Sequence, residues 1–153
     1  MIFVAYSDLI TQTVKNSEPP EGLSFFKKAL SVFKPQANRA RVFRDWKFHS
    51  DRLGCDVTVP AGFEFDWDSV PRLPVVYLLW KGRAREEACA HDYLYVTGRA
   101  GCCEIMRAEA DRVMLDAMVY YKRPLRYRMP IYWGVRIGGW RGWNRYRQAE
   151  AKT

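Results

Sequence analysis

The stretch RAREEACAHDYLYVTGRAGCCEIMRAEADRVMLDAMVYYK, residues 83–122, decides the fold of this chain. Its first half has the spacing of a helix over 83–97, which Gly98 ends, and its second half predicts a longer helix over 103–122. The Arg123-Pro124 pair ends the second helix, because a proline restricts the preceding residue to extended backbone. Since only the short segment RAGCC connects them, we predict that the two helices pack against each other in antiparallel orientation.

Each of the two helices places an aspartate within its apolar face. On a helical wheel, the first helix has Asp92 at the centre of the apolar arc and His91 at its edge. That arc is formed by Ala84, Ala88, Cys89, Tyr95 and Val96, opposite Glu86, Glu87 and Thr97. In the second helix, Asp111 falls between Leu115 and Met118, away from the polar stripe of Glu109, Arg112 and Asp116. Both aspartates are therefore predicted to lie at the interface of the helices.

A carboxylate at such an interface must be hydrogen-bonded, paired or bound to a metal, because an isolated buried charge is costly. A histidine whose ring is oriented by a carboxylate is the usual arrangement of a general base, and His91 has that opportunity. Tyr95, one turn after His91, can donate its hydroxyl to a buried aspartate, and a second carboxylate can hold a cation. The same residues can equally form a satisfied polar network that joins two helices. Both interpretations stay open at this point.

The residues before the helix pair have the period-2 pattern of strands. We predict strands in RVFRDWKFH (41–49), CDVTVP (55–60) and FEFDW (63–67), which together form a β-meander or a pair of hairpins. A third, short helix is predicted over 130–137, with Pro130 in its first turn and Gly138-Gly139 at its end. The fold class is therefore α+β, with a small antiparallel sheet packed on two longer helices, a short C-terminal helix and a basic aromatic tail.

The chain divides into three predicted parts. Residues 1–40 form an N-terminal arm with one amphipathic helix over 23–33, residues 41–143 form the α+β domain, and residues 144–153 form the basic tail. No run approaches the roughly 20 apolar residues of a membrane-spanning helix, and the first residues lack the basic region of a secretory signal. The four cysteines are too few for a disulfide scaffold and are expected to be free thiols.

The segment FDWDSVPR, residues 65–72, is a second candidate site. Asp66 and Asp68 offer hard oxygen ligands for a cation, and Ser69 and Arg72 follow them closely. The alternative is a turn in which the aspartates bond to nearby backbone amides.

The formal net charge of +8 resides entirely in residues 122–153, which hold nine Lys and Arg against one acidic residue, Glu150. Such a basic segment favours an acidic partner such as nucleic acid, anionic lipid or an acidic protein, unless it is only a solvated terminus. Aromatic residues alternate with the arginines, among them Trp133, Trp140 and Trp143. This mixture favours a lipid–water interface or a subunit contact over nucleic acid, which ranks third.

Three blocks, VPAGFEFDWDSVPR, HDYLY and EADRVMLDAM, resemble a family of small uncharacterised domains of tailed phages and prophages. The family pattern VPxGFxxDxxSxPR, HDxLY and ADxxF/M matches over about residues 41–143, although Asp68 stands where a small residue is expected. The resemblance implies a phage protein that associates with other virion subunits in the tail, baseplate or portal region. It would be made in the host cytoplasm and incorporated in the virion.

HDYLY followed by Ala110-Asp111 also resembles, more distantly, the helix pair of phospholipase A2. This resemblance implies that His91 is the general base, that Asp111 orients its ring, that Tyr95 bonds to that acid and that Asp92 binds calcium. The glycine-rich calcium loop of those enzymes is missing, so Asp66 or Asp68 would have to supply the remaining ligands. Two functions follow as expectations, a metal-dependent hydrolase of phospholipid esters and a structural virion component in which the His-Asp-Asp set only links helices.

Overall fold

A computed structural model describes residues 2–14, 39–66 and 85–151 of the chain, and it confirms the α+β class. Within these ranges the strands are short and the helices lie in the C-terminal half. The strands are β1 Phe3–Ala5, β2 Thr11–Val14, β3 Arg39–Val42, β4 Trp46–Ser50, β5 Cys55–Val59, β6 Glu64–Asp66, β7 Arg99–Ala100 and β8 Cys103–Glu104. The helices are α1 Arg85–Thr97, α2 Arg107–Tyr120, α3 Leu125–Gly138 and α4 Trp140–Glu150.

The described strands form two antiparallel three-stranded sheets, ordered β1-β4-β5 and β2-β3-β6, and the hairpin β7-β8. The predicted hairpin β4-β5 is confirmed, with Trp46 opposite Val59. It does not continue as a meander into the third predicted strand, because β6 pairs with β3 in the other sheet. The single strand predicted over 41–49 is wrong, because the chain leaves one sheet after Val42 and enters the other at Trp46. Between these two strands, the Asp45 carboxylate accepts a hydrogen bond from the Ala61 backbone amide at 2.8 Å.

Residues of the predicted N-terminal arm take part in both sheets. Strand β1 pairs with β4, with Phe3 opposite Ser50, and β2 pairs with β3, with Thr11 opposite Val42. The ring of Phe3 stacks on that of Phe48 at 4.9 Å in the core. The helix predicted over 23–33 lies outside the described residues.

Alternation along the strands places one face of each sheet in the core. Trp46, Phe48, Val57 and Val59 are all buried on the same side of the β4-β5 hairpin. Leu94 of α1 and Val113 and Met118 of α2 complete this core, which therefore lies between the strands and the first two helices.

Helices α1 and α2 are antiparallel, as predicted. The first turn of α1 lies near the end of α2, where Glu87 pairs with Arg123, and Tyr95 near the end of α1 meets Asp111 near the start of α2. Helix α2 begins later than predicted, because residues 99–104 form the β7-β8 hairpin. The Glu109 carboxylate accepts the Met106 amide at 2.7 Å and so caps the start of α2.

The C-terminal segment is more helical than its sequence predicts. Helix α3 begins at Leu125, five residues before the predicted start, and Pro130 lies inside it. Helix α4 extends to Glu150 through the predicted tail. Gly139, expected to end a helix, has right-handed helical dihedrals (φ −69°, ψ −17°), and its amide donates to Val135 O at 2.8 Å. Over the described residues, no helix combines the length and apolarity that crossing a membrane requires.

Candidate functional site

The site lies where α1 faces α2 and consists of His91, Tyr95 and Asp111. His91 and Tyr95 are one turn apart on the same face of α1, with ring centroids 4.1 Å apart. The Asp111 Oδ1 atom lies 3.1 Å from His91 Nε2 and accepts the Tyr95 hydroxyl at 2.5 Å. Asp111 is fully buried, and the His91 side chain is 8% exposed. The structure thus brings together the three residues that the sequence assigned to catalysis.

The second carboxylate oxygen of Asp111 is held by two arginines. Arg136 Nη1 of α3 lies 2.7 Å from Oδ2, and Arg107 Nη1 of α2 lies 3.3 Å from it. Arg107 also donates to the carbonyls of Val135 and Arg136, at 3.3 and 3.0 Å. Burial alone would raise the pKa of Asp111, but the hydrogen bonds from His91, Tyr95 and Arg136 outweigh it and lower this pKa. Asp111 is therefore an ionised carboxylate in the protein interior.

Neither arginine was among the site residues predicted from the sequence. Arg107 had a local signal, since it precedes Asp111 by four residues on one helix. Arg136 had none, because its contact with Asp111 spans 25 positions and depends on how α3 packs.

The other ring nitrogen of His91, Nδ1, is placed to accept a proton. With Nε2–H donating to Asp111, Nδ1 carries the lone pair, and the Asp92 carboxylate lies 3.7 Å from it. Burial would lower the pKa of His91, but the neighbouring Asp111 and Asp92 carboxylates outweigh it and raise this pKa. His91 therefore has the partner and the electrostatic surroundings of a general base.

Two assignments on the wheel of the first helix were wrong. Asp92 was predicted at the centre of the buried face, yet its side chain is 30% exposed, whereas His91 is buried. Glu87 was predicted on the solvent side, yet it is fully buried one turn before His91. The buried arc is rotated because β6, α2 and α4 all pack on α1 and cover more of its surface than one neighbour would.

Glu87 pairs with Arg123, whose Nε donates to Oε1 at 2.7 Å. In the described part of the chain, the Oε2 atom of Glu87 is buried without a hydrogen-bond partner. Burial raises the pKa of Glu87, and the hydrogen bond from Arg123 opposes the increase without cancelling it.

Helix α4 covers the Tyr95 side of the site. The indole of Trp143 packs edge-on against the Tyr95 ring, with centroids 5.3 Å apart. Arg147 donates to the carbonyls of Tyr95 and Val96 at 3.2 and 2.5 Å, where α1 ends. Of the predicted binding tryptophans, Trp143 therefore belongs to this site, whereas Trp133 and Trp140 are 55% and 50% exposed on the surface.

Of the FDWDSVPR segment, the structure describes Phe65, which is buried in the core, and the backbone of Asp66. The backbone of Asp66 ends β6 opposite Arg39, and Asp68, Ser69 and Arg72 lie outside the described residues. Among the described side chains, no three His, Cys, Asp or Glu residues are grouped to hold a metal ion. The four cysteines are free thiols, as predicted.

Comparison with known proteins places the site within a family. Residues 40–135 match the model of a family described as a protein of unknown function, DUF1353. No curated protein and no solved structure matches the chain. The matched region includes His91, Tyr95, Asp111 and Arg107 but ends before Arg136 and α4.

Proposed function

The chain belongs to the DUF1353 family, and on that premise we propose that it is a tailed-phage protein with a hydrolytic site for phospholipid esters. Its proposed place is the virion, in the tail, baseplate or portal region, beside other virion subunits. The support for this setting is the resemblance of VPAGFEFDWDSVPR, HDYLY and EADRVMLDAM to phage domains.

The observation that carries the hydrolytic proposal is the hydrogen-bonded series Tyr95–Asp111–His91. His91 Nδ1 would remove a proton from a water molecule as that water attacks the ester carbonyl. The imidazolium would then return the proton to the leaving alcohol oxygen as the acyl C–O bond breaks, which releases the fatty acid. The Asp111 carboxylate, 3.1 Å from Nε2, would orient the ring and stabilise the imidazolium that forms. Tyr95, Arg107 and Arg136 would position Asp111 without contacting substrate, because each of them donates to its oxygens.

A calcium ion is part of the proposal through the phospholipase A2 resemblance. Asp92, beside His91 Nδ1, would be one ligand, with Asp66 and Asp68 as further candidates. Bound there, the ion would stabilise negative charge on the ester oxygen. Since the described side chains do not gather three metal ligands, no step of the reaction is assigned to it.

The test is release of fatty acid from phospholipid vesicles by the purified full chain, with calcium, zinc, magnesium or EDTA. His91→Gln should abolish release, since it removes the base. His49→Gln is the matched control, because His49 is the other histidine and lies on β4, outside the helix pair. Absence of turnover with all three cations would refute the hydrolytic proposal.

A second candidate function is a structural virion component, and a specific observation favours it. Asp111 is fully buried and bonds to side chains from α1, α2 and α3, so it joins three helices. This candidate predicts that Asp111→Asn lowers the melting temperature strongly and that no vesicle lipid is hydrolysed. If virions assemble normally with His91→Gln and the purified protein releases fatty acid, the structural candidate is excluded.

A further inference from the structure

An exposed apolar strip lies on α3 and α4. It consists of Trp133, Ile137 and Trp140, which are 55%, 72% and 50% exposed. Gly139 separates the two helices and has right-handed helical dihedrals (φ −69°, ψ −17°), and the Trp143 amide donates to Gly139 O at 3.0 Å. At 3.6 residues per turn, the three side chains fall within an arc of about 60°.

Arginines border this strip. Arg126, Arg141 and Arg145 are exposed, and each guanidinium lies 5.0–5.2 Å from the centre of an adjacent aromatic ring. Over the described residues, none of the three forms an ion pair with a carboxylate. The α3–α4 segment therefore presents a row of large apolar side chains with unneutralised positive charge beside it.

We propose that this face, Trp133, Ile137 and Trp140 with Arg126, Arg141 and Arg145, docks on an anionic phospholipid bilayer. A helix that lies in the headgroup region buries one apolar stripe and directs cationic side chains to the lipid phosphates. Tryptophan suits this level because its ring is apolar and its N–H is polar. The net charge of +8, all within residues 122–153, complements an anionic surface.

The charge beside the strip favours an anionic bilayer over an apolar protein groove. A row at i, i+4 and i+7 also fits a protein groove, but three exposed arginines border this strip, and lipid phosphates would neutralise their charge. The flanking arginines would remain at the polar level while the apolar row enters the lipid, as interfacial helices require.

Membrane docking would also bring the proposed esterase to its substrate. This part of the inference rests on the proposed function. The inner face of α4 packs on Tyr95 through Trp143 and Arg147, while Trp140 and Arg141 face outward. A bilayer held on the outer face would thus lie one helix thickness from the residues that position Asp111.

The test is cosedimentation of the full chain with vesicles of ether-linked lipids, which the proposed esterase cannot hydrolyse. One set contains phosphatidylglycerol and phosphatidylethanolamine, and the other contains phosphatidylcholine alone. The apolar variant is Trp133→Ala/Trp140→Ala, and the charge variant is Arg141→Gln/Arg145→Gln. Matched controls are Phe43→Ala, 69% exposed beside β3, and Arg44→Gln/Arg112→Gln, which removes the same charge elsewhere.

We expect binding to the anionic vesicles only, weakened at least tenfold by either variant and less than twofold by either control. Equal weakening by the control pair, or no binding to anionic vesicles, would overturn the docking proposal. Binding without fatty-acid release from ester lipids would refute the esterase and support docking. If the Trp133→Ala/Trp140→Ala variant releases fatty acid and binds vesicles as the unmodified protein does, the docking proposal is refuted and the esterase is supported.

Discussion

Arg136 Nη1 lies 2.7 Å from Asp111 Oδ2 and thereby connects α3 to the carboxylate that contacts His91. Arg136 is partly exposed, at 29%, whereas Asp111 is fully buried. The contact thus places an accessible cation against a charge that has no access to solvent. The position of α3 and the ionisation of Asp111 consequently depend on each other.

Arg136→Gln should lower the free energy of unfolding by about 1.5–3 kcal/mol, the usual range for a hydrogen bond to a charged group. Arg107 remains on the same oxygen and keeps the loss from being larger. Urea denaturation measures the change. The control is Arg126→Gln on the exposed side of α3, expected to change stability by at most about 0.5 kcal/mol. Equal stability of the two variants would contradict a structural role for the Arg136 contact.

Asp92→Asn should lower the pKa of His91, because the Asp92 carboxylate is one of the two charges that raise it above the ordinary value of 6.5. A general base must be neutral, so hydrolysis should increase as pH rises through this pKa. Asp92 is also a proposed calcium ligand, so Asp92→Asn is compared with the unmodified protein by the pKa of His91 in calcium-free buffer and not by its rate. An NMR titration of the His91 ring measures the same pKa without requiring turnover. Glu104→Gln, an exposed carboxylate on β8, serves as control, and an unchanged His91 pKa in Asp92→Asn would refute the assignment.

Glu87→Gln should stabilise the protein increasingly as the pH rises above about 4.5, the ordinary pKa of glutamate. The folded-state pKa of Glu87 is raised, so the folded protein binds more protons than the unfolded chain between the ordinary and the raised value. Stability contributed by this group is therefore present at low pH and lost as pH rises through the raised pKa. Glutamine has no titrating carboxyl group, so it removes this pH dependence of stability, and its amide oxygen can still accept the hydrogen bond from Arg123. Denaturation at several pH values tests it, with Glu104→Gln expected to follow the unmodified protein.

Substitution by alanine should have opposite effects on stability at two glycines of the α3–α4 segment. A methyl group at Gly139 would overlap the Tyr95 hydroxyl and the Val135 carbonyl, whereas at Gly142 the nearest atom, Tyr95 Cδ1, is 4.0 Å away. Gly142→Ala should stabilise by about 0.5–1 kcal/mol, the usual gain in a helix interior. Gly139→Ala should destabilise by about 1–3 kcal/mol because Tyr95 must move. Thermal melts of both variants decide this, and stabilisation by Gly139→Ala would show that Tyr95 is not held against α4.

The sequence predicted the features of the fold that depend on local pattern. The hairpin β4-β5 followed from alternation around Val57 and Val59, and the buried place of Asp111 followed from its position between apolar neighbours. The burial of Glu87 and the exposure of Asp92 were mispredicted because a wheel assumes one buried stripe, whereas three elements pack on α1. The placement of α4 also depends on packing, since Trp143 contacts the Tyr95 ring, a contact that no local pattern specifies.

Only part of the site could be predicted, because local sequence pattern does not specify how distant helices pack. His91, Tyr95 and Asp111 have helical spacing and short loops to bring them together, so their grouping could be expected. Arg136 comes from a helix whose packing no local pattern specifies, and its role became visible only in three dimensions. The predicted roles of Asp66, Asp68, Ser69 and Arg72 stay predictions.

The pairing of β1 with β4 has a consequence for how the chain is made. Tyr6 and Asp56, whose side chains bond across this sheet at 2.9 Å, are 50 positions apart in sequence. At a synthesis rate of about 5–20 residues per second, β1 leaves the ribosome roughly 2–10 s before the strand that receives it. During that interval its backbone has no strand partner, and Phe3 has no core to enter. These early-synthesised residues are thus fixed late, and slower translation across residues 39–59 would lengthen the time in which they can pair wrongly.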